Sequence, residues 1–280
     1  MDPNPLVSTA WLAGHLGEPG LVVVDGSWYF PAMGRDPRAE FLAGHIPGAV
    51  FWDLDALSDR TSPLPHMLPD PDTLGRRIGA LGIGNQDRVV VYDGSGVNLS
   101  APRIWWTLRV AGHDAVRVLD GGLGRWRAEG RPLAAGAARP EPKPFAVRWR
   151  PELVRSRAEV EAAIREGSAQ LLDARSAGRF AGTEPEPRPG LRSGHLPGAR
   201  NLPFTELVNP DGTLRTRDEL LRRFRTAGID PSRPVVTSCG SGVSACALAL
   251  ALETLGGQHY AVYDGSWAEW GLPDGPPIES

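Results

Sequence analysis

The chain is written twice, and that repetition fixes most of what it can fold into. The segment FLAGHIPGAVFWDL contains Gly44-His45-Ile46-Pro47-Gly48-Ala49, and LRSGHLPGARNLPF contains Gly194-His195-Leu196-Pro197-Gly198-Ala199. LVVVDGSWYF precedes the first and QLLDARSAGRF the second. RVVVYDGSGVNLSAPRIWW and then VRVLDGGLGRW follow the first; RPVVTSCGSGVSACALAL and then YAVYDGSWAEW follow the second. Four landmarks recurring in one order mean a duplicated domain. The 280 residues suffice for two domains of ordinary size.

Within each copy, short apolar runs alternate with helical stretches. Leu21 to Asp25, Val89 to Asp93 and Val116 to Asp120 end in aspartate, are too short for helices, and read as strands buried on both faces. Leu171 to Asp173, Pro234 to Ser238 and Ala261 to Asp264 take those parts in the second copy. Ser156 with Glu159, and Thr216 with Glu219, are capping-box patterns that start helices. The alternation predicts an α/β fold, each half a mostly parallel sheet with helices on both faces. The run AAGAARPEPKPFAVRWRP lacks helical period. It marks a linker at 137–152, between an N-terminal domain over 1–136 and a C-terminal domain over 153–280.

Composition narrows the function. A net charge of −3 does not suggest a nucleic-acid partner. No apolar run is long enough to span a bilayer, and the N-terminus lacks the pattern of a signal peptide. The two cysteines make no disulfide framework, and a cytoplasmic location is expected. No Cys/His cluster has zinc-ligand spacing, so no metal is expected.

Cys239 is the candidate for chemistry. It stands between a strand-like run and an apolar helix-like run, followed by Gly240, Ser241, Gly242, Val243 and Ser244. A loop of small residues leading into a helix directs backbone N–H groups inward and favours an anion, here a thiolate. In α/β sheets ligands bind where strands end and such loops begin. The matching residue of the first copy is Asp93, in YDGSGV against SCGSGV, which implies one active centre per chain, in the second half. Cys246, about two turns into the expected helix, reads as core packing.

In these motifs the chain resembles the tandem rhodanese-domain sulfurtransferases. The repeated Gly-His-[Ile/Leu]-Pro-Gly-Ala, the terminal DGSW and the single cysteine of the second copy carry the resemblance, from about Leu6 to Trp270. The loop Cys-Gly-Ser-Gly-Val, GRFAGTEPEPRPG and SDRTSPLPHMLP are similar to the 3-mercaptopyruvate branch. Thiosulfate-specific members carry a basic pair after the cysteine, where Gly240 and Ser241 stand here. Ser244 departs from that branch's threonine but keeps the hydroxyl.

The resemblance implies an enzyme that moves sulfur from 3-mercaptopyruvate to a thiol, cyanide or reduced thioredoxin through a Cys239 persulfide, releasing pyruvate without a cofactor. Arg179 and Arg188 would hold the donor's carboxylate and keto group, as guanidinium forks suit. The alternative for them is a loop position or an ion pair with Glu184 or Glu186. Gly240, Gly242, Val243 and Ser244 would line the donor site. Ser241, His66 and Asp55 match a proton relay; Asp55 and His66 lie in the first copy, so the relay needs both copies. A monomer is expected, since the duplication already supplies two domains.

Competing readings are distinguishable. A thiosulfate sulfurtransferase would use the same cysteine with a dianionic donor. A cysteine phosphatase needs Cys-x5-Arg, and Ala245 stands at the arginine position. A non-catalytic rhodanese-like binding module fits the first copy, not the second. His45 and His195 mimic a catalytic pair, but the first occurs in the copy without cysteine; both read as turn histidines bonded to local backbone. Trp105, Trp106, Trp126, Trp267 and Trp270 read as core at the domain interfaces. Trp28 and Trp52 are left between core and cleft.

Overall fold

In the computed structural model, which describes residues 4–257 and 259–280, the duplication appears as two sheets of identical plan. The first contains β1 (Leu6–Val7), β2 (Leu21–Asp25), β3 (Val50–Phe51), β4 (Arg88–Tyr92) and β5 (Val116–Leu119), in the order β1-β5-β4-β2-β3. The second contains β6 (Val154–Arg155), β7 (Gln170–Asp173), β8 (Arg200–Asn201), β9 (Val235–Ser238) and β10 (Tyr260–Tyr263), in the order β6-β10-β9-β7-β8. Every pairing between these strands is parallel. Both copies are therefore α/β, as their alternation predicts.

Burial explains why the runs are strands. Val23, Val24, Val89, Val90 and Val91 in the first sheet, and Leu172, Val235 and Val236 in the second, are all buried. β-branched residues suit such a pleated surface, and full burial of each large apolar side chain stabilises by about 1.5–3 kcal/mol. Trp126 completes the core of one sheet, with Leu12, Phe41 and Ile46. Trp267 and Trp270 take the corresponding place in the other, with Val160, Leu171 and Leu196. Trp28 and Trp52 are buried as well.

Both capping boxes form. The helices Arg157–Glu166 and Arg217–Thr226 start at Ser156 and Thr216, whose backbone N–H groups donate to Glu159 and Glu219. Of the turn histidines, His45 bonds local backbone as expected, whereas His195 reaches a carbonyl 15 residues earlier. His45 Nδ1 lies 2.7 Å from the Phe41 carbonyl and His195 Nδ1 2.8 Å from the Phe180 carbonyl, each ring stacked on that phenylalanine.

By contacts the chain divides into two units. One gathers the residues up to Arg60, Leu68–Arg150 and Val208–Leu214; the other Thr61–Met67, Pro151–Leu207 and Arg215–Ser280. Thus His66, from the first repeat, belongs structurally to the unit of the second. Residues 137–150 hold no helix or strand, yet Lys143 N donates to the Gly79 carbonyl and Arg148 N to Ala111.

Candidate active site

β9 is the middle strand of its sheet, and Cys239 follows its last residue, at the carboxyl edge where parallel sheets place their ligands. Its thiol is free and the residue is 2% exposed. The chain turns through Gly242, whose φ of +72° costs a glycine little, and enters the helix Ala245–Thr254. The loop is longer than the sequence pattern suggests. Cys246 consequently lies in the first helical turn, not two turns in, and its thiol bonds the Gly242 carbonyl at 3.2 Å.

Ser266 organises this loop, and the sequence reading does not single it out. Its hydroxyl accepts from the N–H groups of Cys239 and Gly242, each at 3.1 Å, and donates to the Tyr263 carbonyl at 2.7 Å. Trp267 N and Ala268 N hold the carbonyls of Cys239 and Gly240. Ser266 takes φ +49°, a strained value for a non-glycine residue, and is fully buried. Two of the loop's donors are therefore already used. Among the described residues, no protein acceptor takes the N–H groups of Gly240, Ser241, Val243 or Ser244.

The first repeat fills the same loop differently. Asp93 is buried, and its carboxylate accepts from Ser95 N at 2.8 Å and from Ser100 N and Ala101 N at 2.9 Å, with the Ser95 hydroxyl also bound. The strap is kept, since Leu123 N donates to the Asp93 carbonyl. Gly122, at φ +53°, stands where Ser266 stands in the second repeat. The loop architecture thus cradles an anion, and in the copy without sulfur the anion is its own side chain.

Arg179 lies in the short helix Ala177–Phe180, capped by Ser176. A Cβ added to Gly240 would come 2.9 Å from Arg179 Nη2, so the guanidinium fills the space above the residue after the cysteine. It is fixed there by Glu186, which accepts from Nε at 3.2 Å and from Nη2 at 2.5 Å. The ion pair with Glu186, which the sequence offers as the alternative to a substrate-binding role, is present, and the guanidinium also reaches the loop. Arg188 is half-buried in the same segment.

His66 is brought to the loop: its Nδ1 stands 3.0 Å from Ser241 Oγ, and both residues are buried. His66 has φ +60°, a conformation a histidine holds only when its surroundings require it. Asp55 belongs to the other unit, exposed in the first turn of the helix Leu54–Leu57.

A thiol at the end of a central parallel strand, inside a loop that cradles anions, is the site of a rhodanese-like domain, and the chain belongs to that family. It matches the Rhodanese-like domain over residues 8–129 and 156–272. It is 44% identical over 271 residues to the 3-mercaptopyruvate sulfurtransferase of Homo sapiens, covering 95% of this chain and 91% of that protein. It is 43% identical over 272 residues to the thiosulfate sulfurtransferase of Cricetulus griseus, covering 95% and 91%. The crystal structure of SseA from Escherichia coli, described as a 3-mercaptopyruvate sulfotransferase, superposes with a TM-score of 0.87 at 43% identity over 94% of this chain and 99% of that one. Overall identity does not separate the two donors, so the donor must be argued from the site. No helix among the described residues is long and apolar enough to cross a membrane.

Proposed function

We propose that this chain is a 3-mercaptopyruvate sulfurtransferase that carries sulfur as a persulfide on Cys239. The observation that carries the reading is Cys239 itself, buried in an anion-cradling loop with the Arg179 guanidinium against Gly240. Arg179 and Arg188 hold the donor's carboxylate and keto oxygen. The Cys239 thiolate attacks the donor sulfur. A sulfur–sulfur bond forms, the carbon–sulfur bond breaks, and its electron pair leaves with carbon as the enolate of pyruvate, which then takes a proton. The N–H groups of Gly240, Ser241, Val243 and Ser244 meet the negative charge left on the outer sulfur. A thiol, cyanide or reduced thioredoxin then removes that sulfur and restores the thiolate.

The Ser241–His66 hydrogen bond supports a proton path to the enolate. The donor assignment follows from charge. Thiosulfate is a dianion, and neither Gly240 nor Ser241 supplies a cation. A donor panel tests this: kcat/KM is higher with mercaptopyruvate than with thiosulfate, and Arg188→Ala lowers the mercaptopyruvate value by about a hundredfold with a smaller loss for thiosulfate. Higher efficiency with thiosulfate in the wild type makes the protein a thiosulfate sulfurtransferase instead.

A further inference from the structure

We propose that Glu186 sets the net charge beside Cys239 and thereby selects a singly charged sulfur donor over a doubly charged one; this rests on the reading of Cys239 and Arg179 above. Four ionic side chains stand in a row. Asp173 accepts from Arg175 Nε at 2.9 Å and Nη2 at 2.7 Å. Arg175 Nη1 donates to Glu186 Oε1 at 2.7 Å, and Glu186 in turn receives Nε and Nη2 of Arg179. The side chains of Asp173 and Arg175 are wholly buried and that of Glu186 is 3% exposed, whereas Arg179 is 16% exposed at the loop. Arg175 is further fixed by the Gly194 carbonyl at 2.8 Å and by the Trp267 ring at 4.3 Å.

Glu186 therefore does two things at once. Its two oxygens hold Nε and one edge of Nη2, which leaves Arg179 Nη1, without a protein partner among the described residues, to face a donor. Its charge also cancels that of Arg179, while Arg175 and Asp173 cancel each other. The row thus places a guanidinium fork at the nucleophile without adding net positive charge there. Hydrogen-bonding geometry for one carboxylate is provided; compensation for a second negative charge is not. Screening is weak because the row is buried, so the cancellation acts on whatever occupies the site. Thiosulfate, which would pass its outer sulfur to Cys239 and leave as sulfite, brings that second charge; mercaptopyruvate does not.

The test is the ratio of kcat/KM for thiosulfate to that for mercaptopyruvate, both measured on one preparation so that any loss of folded protein cancels. Glu186→Gln raises the ratio by about tenfold or more. Glu186→Asp, which keeps the charge, leaves it within about threefold. Arg175→Met combined with Glu186→Gln returns the row to zero net charge and brings the ratio back toward the wild-type value. Should Glu186→Gln not fold, Asp173→Asn removes one negative charge from the far end of the row and raises the ratio in the same direction. An unchanged ratio in the folded variants, or a rise that survives the compensating pair, overturns the proposal. Loss of sulfur uptake from both donors by the wild type would instead sink the functional reading on which it rests.

Discussion

Gly240 shows how one missing side chain arranges a site. It is glycine not for its backbone angles but because the space a Cβ would fill is taken by Arg179. A methyl group there pushes aside the end of a flexible side chain, not backbone. Gly240→Ala is expected to leave the unfolding midpoint almost unchanged while lowering kcat/KM for mercaptopyruvate by about tenfold, since a misplaced orienting group acts on the rate. Steady-state kinetics alongside thermal unfolding check this; a large fall in midpoint with normal kinetics contradicts it. Cys239 was legible from its neighbours alone, because loop composition and strand position are local properties. Ser266 was not: its bonds reach back to residues 239 and 242, and the DGSW landmark shows only that a small residue belongs there. Glu186 was legible as an arginine partner, but not as one member of a four-residue row, since Asp173 and Arg175 enter it only through the fold.

At the scale of elements, the two nucleophile-type loops are the same device in two states. In the second repeat a neutral hydroxyl from Ser266 takes two loop N–H groups. In the first, the Asp93 carboxylate takes three backbone N–H groups and ties the loop to the start of the helix Ala101–Val110. Removing a buried carboxylate strands those donors, each costly to leave unmade. Asp93→Ala is expected to destabilise the protein by about 3 kcal/mol in chemical denaturation, while sulfur uptake per folded molecule is retained. A neutral effect on stability would mean the carboxylate is not holding the loop. The strands and both capping boxes were readable from periodicity and spacing. The Cys239 loop ends later than its sequence pattern suggests, because Gly242 and its neighbours extend the turn before the helix begins at Ala245. The place of His66 was also hidden: sequence assigns it to the first copy, whereas its contacts assign it to the second unit.

For the molecule as a whole, the irregular segment between the repeats is bound, not loose. Lys143 donates to Asp87 at 2.7 Å, and Asn85 exchanges two hydrogen bonds with Ala146. Burial pushes the Asp87 carboxyl up, but the Lys143 ammonium and the Gly84 N–H outweigh it and hold the group below its usual range. A depressed carboxylate contributes stability that is complete above its unfolded value and is lost as pH falls through the folded one. Lys143→Met is therefore expected to be less stable than the wild type near neutrality, with the difference shrinking as the pH drops through the acidic carboxylate range. Denaturation midpoints at a series of pH values check it, and a gap that widens in acid would contradict it. Of the two sheets of identical plan, one has a thiol and the other a carboxylate after the middle strand, and the proposed function rests on a single sulfur-carrying centre. Intact mass spectrometry after brief exposure to mercaptopyruvate tests it most directly. The expected result is a gain of one sulfur atom per chain, reversed by a thiol and absent in Cys239→Ser; no gain, or a gain that persists in Cys239→Ser, would contradict a single sulfur-carrying Cys239.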